Sequence, residues 1–267
     1  MLVKSRFMLD VIKTTSEEKR SKGTIIFVHG VCHSAWCWLE NYAPFFADNG
    51  WNSYALSLRG HGQSQGRDQL DQFGLSDYVS DVLSVVNELE EPPIVIGHSM
   101  GGAITQLLMT QFPEKIAGAV LLASMPPGTP DPWERLRLLR YPTGVLALFR
   151  LINQKPVSAS GVAKSPFFSN RISKEKASGY LEHLQTESRR ALSELSKFQT
   201  AGGAQPFPLL VLGSRQDLIF GNGAIERTAK HYKTQATVLR EGCHDLMLDP
   251  MWEQSAHCIL DWLNSSF

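Results

Sequence analysis

The chain has 267 residues, 43% of them hydrophobic, and its 26 Lys+Arg balance 26 Asp+Glu. That length and apolar content suit one large α/β domain with a sizeable core. Even charge excludes the electrostatic footprint of a nucleic-acid or anionic-membrane binder, and no run of about 18 apolar residues suits a membrane span.

The N-terminal stretch MLVKSRFMLDVIKTT lacks the apolar core of a secretory signal. The four cysteines, Cys32, Cys37, Cys243 and Cys258, form no C-x-x-C pair. They read as structural thiols rather than metal ligands or a dithiol couple, and a reducing, cytoplasmic setting is expected. Beyond this point short apolar runs alternate with helical patterns. TIIFVH (24–29) is the first strand, and AWCWLENYAPFFADNG (35–50) follows as a helix with Trp36, Leu39, Ala43 and Phe46 on one face. NSYALS (52–57) is the next strand. SDYVSDVLSVVNELE (76–90) reads as a helix opened by a Ser cap, with Val79, Val82, Val86 and Leu89 at helical spacing. PIVIGH (93–98) leads into GHSMGG and a helix from Ala103. GAVLLAS (118–124), PFPLLVLG (206–213) and ATVLRE (236–241) are the remaining strands, and AIERTAKHYK (224–233) and PMWEQSAHCILDWLNS (250–265) the remaining helices of this pattern. Continuous apolar strands between helices predict a doubly wound, mostly parallel sheet. Sites in such sheets lie at the carboxyl ends of the strands.

Between Pro126 and Pro206 the rhythm breaks. Two helices, 131–153 interrupted at Pro142 and 173–198, flank a Ser/Pro/Gly-rich loop. Residues 1–127 and 206–267 therefore read as the core, and 128–205 as a helical lid; the competing reading is an extra helical layer. Leucines of the first lid helix, among them Leu136, Leu138, Leu139, Leu146 and Leu148, suit an apolar or medium-sized ligand, or ordinary packing.

Residues 97–102, GHSMGG, match G-x-S-x-G between a buried strand and a helix. At such a turn, small neighbours let the chain hold a serine hydroxyl out at the strand end, and the helix N-terminus favours developing negative charge. A serine hydroxyl needs a base. His244, in REGCHDLMLDP after the last strand, is the candidate among eight histidines. The other helical histidines read as surface or packing groups, and His29 and His61 as residues that hold loops. Asp217, in LVLGSRQDLIF, is placed to orient His244; Asp245 is too close in sequence to face its neighbour, and Asp249 reads as the start of the last helix. An oxyanion calls for two backbone amides. Met100 follows the serine, and Val31 follows Gly30 in HGVCHSAW, where glycine permits close approach. Gly30, Cys32, Leu139, Leu146 and Leu218 are the candidate substrate contacts.

HGVCHSAW, SLRGHGQS, GHSMGG, GSRQDLIF and GCHDLMLD, in this order over nearly the whole chain, resemble the α/β-hydrolase superfamily. The resemblance implies its fold, with a helical lid inserted after the sixth strand, and Ser99, Asp217 and His244 as catalytic triad. Ser57 stands where the family carries an acidic residue. HGVCHSAWCW and EKIAGAVLLASMPPG are similar to the plant methyl esterases and hydroxynitrile lyases. Lyases of that branch carry threonine at the position of Gly30 and lysine at that of Asp245, so the resemblance disfavours cyanide release. It implies a serine carboxylic-ester hydrolase without metal or organic cofactor, monomeric or homodimeric, acting on a small-molecule ester. Thioesterase, lactonase, C–C hydrolase or hydroxynitrile lyase chemistry, or a ligand receptor with weak hydrolysis, remain alternatives.

Overall fold

The computed structural model describes residues 7–18, 21–128, 142–152, 155, 167–168 and 171–267. Their centre is a seven-stranded sheet in the order β1-β3-β2-β4-β5-β6-β7. The strands are β1 (Asp10–Thr14), β2 (Gly23–Val28), β3 (Trp51–Ser57), β4 (Ile94–His98), β5 (Gly118–Leu122), β6 (Leu209–Ser214) and β7 (Ala236–Leu239). All neighbours run parallel except β1, which pairs antiparallel with β3 from Asp10↔Ser57 to Thr14↔Ser53. The six expected strands are present. β1 was not expected: its DVIKT mixes polar and apolar residues because it is an edge strand with no face fully buried.

The described helices are α1 (Trp36–Leu39), α2 (Tyr42–Asp48), α3 (Leu75–Val86), α4 (Met100–Gln111), α5 (Pro142–Ile152), α6 (Lys174–His183), α7 (Arg189–Leu195), α8 (Asn222–His231) and α9 (Trp252–Ser266). Side chains alternate across the sheet with the two-residue strand period. Ile25, Phe27, Ile96 and Val120 face a core shared with α1, α2 and α9. Ile26, Val28, Val95 and Leu121 face one shared with α3, α4 and α8. Phe27 stacks on Trp38 with centroids 4.8 Å apart.

Three helical expectations are corrected. The helix expected over 35–50 is two, α1 and α2. Pro44 has no amide to give the carbonyl four residues back and its ring would collide with it, so the helix restarts. Ser76 does not cap α3; the chain enters at Gly74, whose amide donates to Asp77 Oδ2 at 2.9 Å. The helix expected over 173–198 is α6 and α7, each opened by its own serine: Ser173 accepts from the Lys176 amide and Ser188 from the Ala191 amide. The 128–205 segment leaves the sheet after its fifth strand, not its sixth, because the described N-terminal edge holds β1 alone outside β3. Its first helix is described only from Pro142, as α5; Leu136, Leu138 and Leu139 lie outside the described residues.

The turn after β3 is anchored by a buried ion pair. Arg59 donates through Nε and Nη2 to Asp81 of α3, with Nε–Oδ1 at 2.9 Å and Nη2–Oδ1 at 2.6 Å, and its amide reaches Oδ2. Its guanidinium also lies over the rings of Phe7 and Phe73, 5.1 and 5.5 Å from their centroids. Removing one partner of such a pair strands the other in a poor solvent. Asp81→Ala is expected to cost about 3 kcal/mol, the low end of the range for a broken buried pair because Asp77 still faces Arg59; the midpoint of urea unfolding measures it.

Candidate active site

Ser99 sits where β4 ends and α4 begins, with φ 53° and ψ −113°. A non-glycine residue there is strained by about 1–3 kcal/mol, and surrounding structure must hold it. Here its amide donates to Leu122 O at 3.2 Å, and its carbonyl accepts from Met125 N at 3.1 Å and Ala103 N at 3.2 Å. Gly101 lets α4 pass over the end of β2: a Cβ there would collide with the carbonyl oxygens of Val28 and His29. Gly30 is constrained from the other side, since a Cβ on it would lie 2.9 Å from Ser99 Cβ and 2.8 Å from His98 Nδ1. The glycine of the HGVC loop thus packs directly on the elbow serine.

The structure brings the three expected side chains together. His244 Nε2 is 2.9 Å from Ser99 Oγ, and His244 Nδ1 is 2.9 Å from Asp217 Oδ2. Both ends of the array are buried, with Asp217 and His244 fully so and Ser99 6% exposed. Asp217 is itself fixed by amide donors from Ile219 at 2.7 Å and Phe220 at 3.0 Å, both to Oδ1. Burial alone would lower the His244 pKa, but the charges of Asp217 and Asp245 outweigh it and raise it above the ordinary 6.5.

The remaining candidates separate. Met100 is buried and opens α4, where an amide has no intrahelical acceptor. Val31, half-buried, follows Gly30. Cys32 is fully buried and held at φ 66°, and burial and Glu187 push its thiol pKa up, so it is an inert thiol rather than a nucleophile. Leu218 is half-buried beside Asp217. Leu146 is 54% exposed on α5 and belongs to neither core cluster. Leu139 lies outside the described residues.

Several residues around the array had not been singled out. His33 directs Nδ1 to Val31 O at 2.8 Å and Nε2 to Asp245 Oδ2 at 3.1 Å. Asp245 therefore pairs with His33 of the HGVC loop rather than with the His244 ring, although its carboxylate stays close enough to help raise the His244 pKa. His98 Nε2 donates to the His244 carbonyl at 3.0 Å, and burial and neighbouring His244 lower its pKa to about 3, so it stays neutral. Phe167 stacks on the His244 ring at 6.2 Å and accepts the Asp245 amide through its carbonyl. Asp249 does more than start a helix; it accepts from the Cys243 amide at 3.1 Å and so ties down the histidine loop. Only spatial neighbourhood marks these residues; HGVCHSAW carried His33 without any local signal of its partner. The acidic residue absent at position 57 is supplied from the adjacent strand: Ser57 Oγ donates to Asp10 Oδ2 at 2.9 Å and accepts from the Ala35 amide at 3.1 Å.

Among the described residues, His98, His244 and Asp245 offer three metal-ligating atoms within 4.8 Å of one another. Both His244 nitrogens already have partners in Asp217 and Ser99, and His98 spends Nε2 on a carbonyl. The cluster reads as a hydrogen-bonded framework, and it gives no independent sign of a metal centre.

A mostly parallel sheet with a strained serine between strand and helix, facing a histidine and an aspartate from later strand ends, defines a protein of the α/β-hydrolase class. The chain belongs to the alpha/beta hydrolase fold family, whose profile matches residues 23–250. It is distantly similar to plant methylesterases. Methylesterase 3 of Arabidopsis thaliana is 32% identical over 128 residues, 46% of this chain and 48% of that protein. Esterase PIR7B of Oryza sativa subsp. japonica is 32% identical over 151 residues, 54% of this chain and 55% of that protein. In these alignments the chain spans about half the length of the curated relatives it matches. A thermophilic esterase from Thermogutta terrifontis superposes with a TM-score of 0.73 at 17% identity, covering 97% of this chain and 94% of that one. At that identity the likeness speaks to the fold. No described helix is long and apolar enough to cross a membrane.

The His244 environment has a direct test. Its imidazole resonances are expected to titrate with a midpoint above 6.5. In Asp217→Asn the midpoint falls, because the largest charge opposing burial is gone. Proton NMR of the histidine ring follows both.

Proposed function

We propose that the protein is a serine carboxylic-ester hydrolase working through an acyl-enzyme, with Ser99 as nucleophile, His244 as general base and acid, and Asp217 as the group that orients His244. The observation that carries this reading is the line of contacts Ser99 Oγ–His244 Nε2 and His244 Nδ1–Asp217 Oδ2, each 2.9 Å, ending on a serine held in a left-handed elbow. His244 takes the Ser99 proton as Oγ attacks the ester carbonyl, and returns it to the leaving alcohol. Water then repeats the sequence on the acyl group and frees the acid. The Met100 amide at the head of α4 and the Val31 amide after Gly30 are the proposed donors to the tetrahedral oxyanion. Gly30, packed against Ser99 Cβ, is what lets the Val31 amide approach. Cys32 and Leu218 flank this machinery, and the 128–205 insert, which delivers Phe167 onto His244, is proposed as the lid.

Methyl esters of small carboxylic acids are the proposed substrate class, supported by similarity to proteins named as methylesterases. Exposed Leu146 gives no support to a long apolar acyl site. Asp245 speaks against cyanide release: it is buried, and although burial opposes its ionisation, His33 and His98 outweigh that and hold its carboxyl below the usual carboxylate range. A carboxylate there cannot take the part of a cationic lysine.

A fluorophosphonate is expected to label Ser99, and Ser99→Ala to lower kcat on a nitrophenyl or methyl ester by on the order of 10⁶. Asp217→Asn is expected to lower kcat by roughly 10⁴. Because His244 must be unprotonated to act as base and its pKa is raised, kcat/KM in the wild type rises with pH through a midpoint above 6.5. Near wild-type hydrolysis by Ser99→Ala would remove the nucleophile assignment. Turnover confined to one product equivalent would turn the reading toward a ligand receptor.

A further inference from the structure

The link between α6 and α7 of the insert, Gln185 to Ser188, runs into the core. Its Glu187 is 1% exposed. Glu187 Oε2 accepts the Cys32 amide at 3.3 Å and faces His61 Nε2 at 3.1 Å. Oε1 accepts from Tyr78 Oη at 3.2 Å and from the Ser188 amide at 2.8 Å. Burial opposes the charge on Glu187, but His61 and these amides outweigh it and hold its carboxyl below the usual range. A carboxylate in such a place is costly unless fully partnered, and three of its four partners, Cys32, His61 and Tyr78, come from other parts of the chain.

Cys32 is the residue through which this matters. It is not glycine, yet it is held at φ 66°, a region a side chain disfavours. Both of its backbone groups are gripped by the insert: its amide by Glu187, and its carbonyl by the Gln185 amide at 3.0 Å. The Gln185 side chain is in turn fixed to the turn after β3, accepting from Gly62 N at 2.9 Å and donating to Gly60 O at 3.2 Å. If Cys32 relaxes to negative φ, the peptide joining it to Val31 turns, and the Val31 amide is carried away from Ser99.

We infer that Glu187 is a positioning residue for the oxyanion site: by holding Cys32 in the left-handed conformation, it aims the Val31 amide at the reacting carbonyl. The inference rests on the serine-hydrolase reading above. It also ties the insert to the chemistry, since the segment proposed as lid carries the anchor of the loop beneath it. Glu187 touches no reacting atom, so its removal acts on the transition state and leaves the bound ester alone.

The test uses the full chain, nitrophenyl acetate, and a trifluoromethyl ketone whose tetrahedral adduct places an oxyanion at the site. Glu187→Gln keeps the shape and one acceptor oxygen. It is expected to lower kcat about tenfold with KM within about twofold, and to weaken the ketone by the same factor. Glu187→Ala is expected to approach the roughly hundredfold loss that accompanies removal of an oxyanion donor. Cys32→Gly, which removes the penalty at φ 66°, is expected to restore part of kcat in the Glu187→Gln background. Should Glu187→Gln fail to fold, Gln185→Ala loosens the same segment and is expected to lower kcat several-fold at constant KM. Unchanged kcat and ketone affinity in folded Glu187→Gln would overturn the inference, as would equal losses in KM and kcat with no rescue by Cys32→Gly. Activity surviving in Ser99→Ala would instead remove the reading beneath it, so the two failures are separable.

Discussion

The positive φ of Ser99 is the constraint on which the rest of the site depends. A side chain at φ 53° persists only where its surroundings leave no relaxed alternative. Three hydrogen bonds pin its backbone, from Ser99 to Leu122 and from Met125 and Ala103 to Ser99. Two close approaches leave the elbow no room: α4 over the carbonyls that end β2, and Gly30 against Ser99 Cβ. Parallel pairing of β4 between β2 and β5 fixes the height of the turn. The sheet therefore acts as a rigid jig, and the serine hydroxyl emerges at the strand ends where β6 and β7 deliver Asp217 and His244.

Around that point the protein buries charge in matched couples. Asp217 faces His244 at 2.9 Å, Asp245 faces His33 at 3.1 Å and Glu187 faces His61 at 3.1 Å, all with fully buried side chains. An isolated carboxylate at such depth would neutralise itself by taking a proton. Each one here faces a histidine, and Asp217 and Glu187 each accept two backbone amides besides, so each becomes a fixed reference for a loop. Asp217 sets the tilt of the His244 ring. Asp245, through His33, reaches the Val31 carbonyl, and Glu187 reaches the Cys32 amide. Two carboxylates from distant chain segments thus converge on one four-residue turn, Gly30 to His33.

What the sequence discloses follows from the range of the physics involved. Central strands buried on both faces are continuous apolar runs, and β7, though a half-buried edge strand, keeps an apolar ATVL run, so six strands were legible; β1, half-wet and mixed, was not. Ser99 sits in a local motif, and His244 and Asp217 follow recognisable strand ends, so their meeting was legible as well. His33, His61, Asp245 and Glu187 owe their importance to partners between 126 and 212 residues away or across a fold boundary. Charge on a helical-looking stretch reads as a solvated face, and SKEKASGYLEHLQTESRRALSELSKF gave Glu187 that disguise. Only the break between α6 and α7 turns it inward. The break has a sequence trace in Ser188, a good N-cap, but an amphipathic pattern running through it is the louder signal.

That break gives the insert a structural part in the core. Thr186 donates to Ile152 O at the end of α5, Gln185 clasps the turn after β3, and Ser188 donates to Phe73 O. Phe167, from the same insert, lies on the His244 ring. An insert joined to the core by exposed contacts could vary freely while the core stayed constant. Here the 185–188 link and the Gly30–His33 turn share buried hydrogen bonds and a buried carboxylate, so a shift in one is felt by the other. Variation in the insert is then constrained where it meets the core and the site, at 185–188, at Phe167 and along the buried face of α6, and looser where its side chains face water, as at Leu146 of α5.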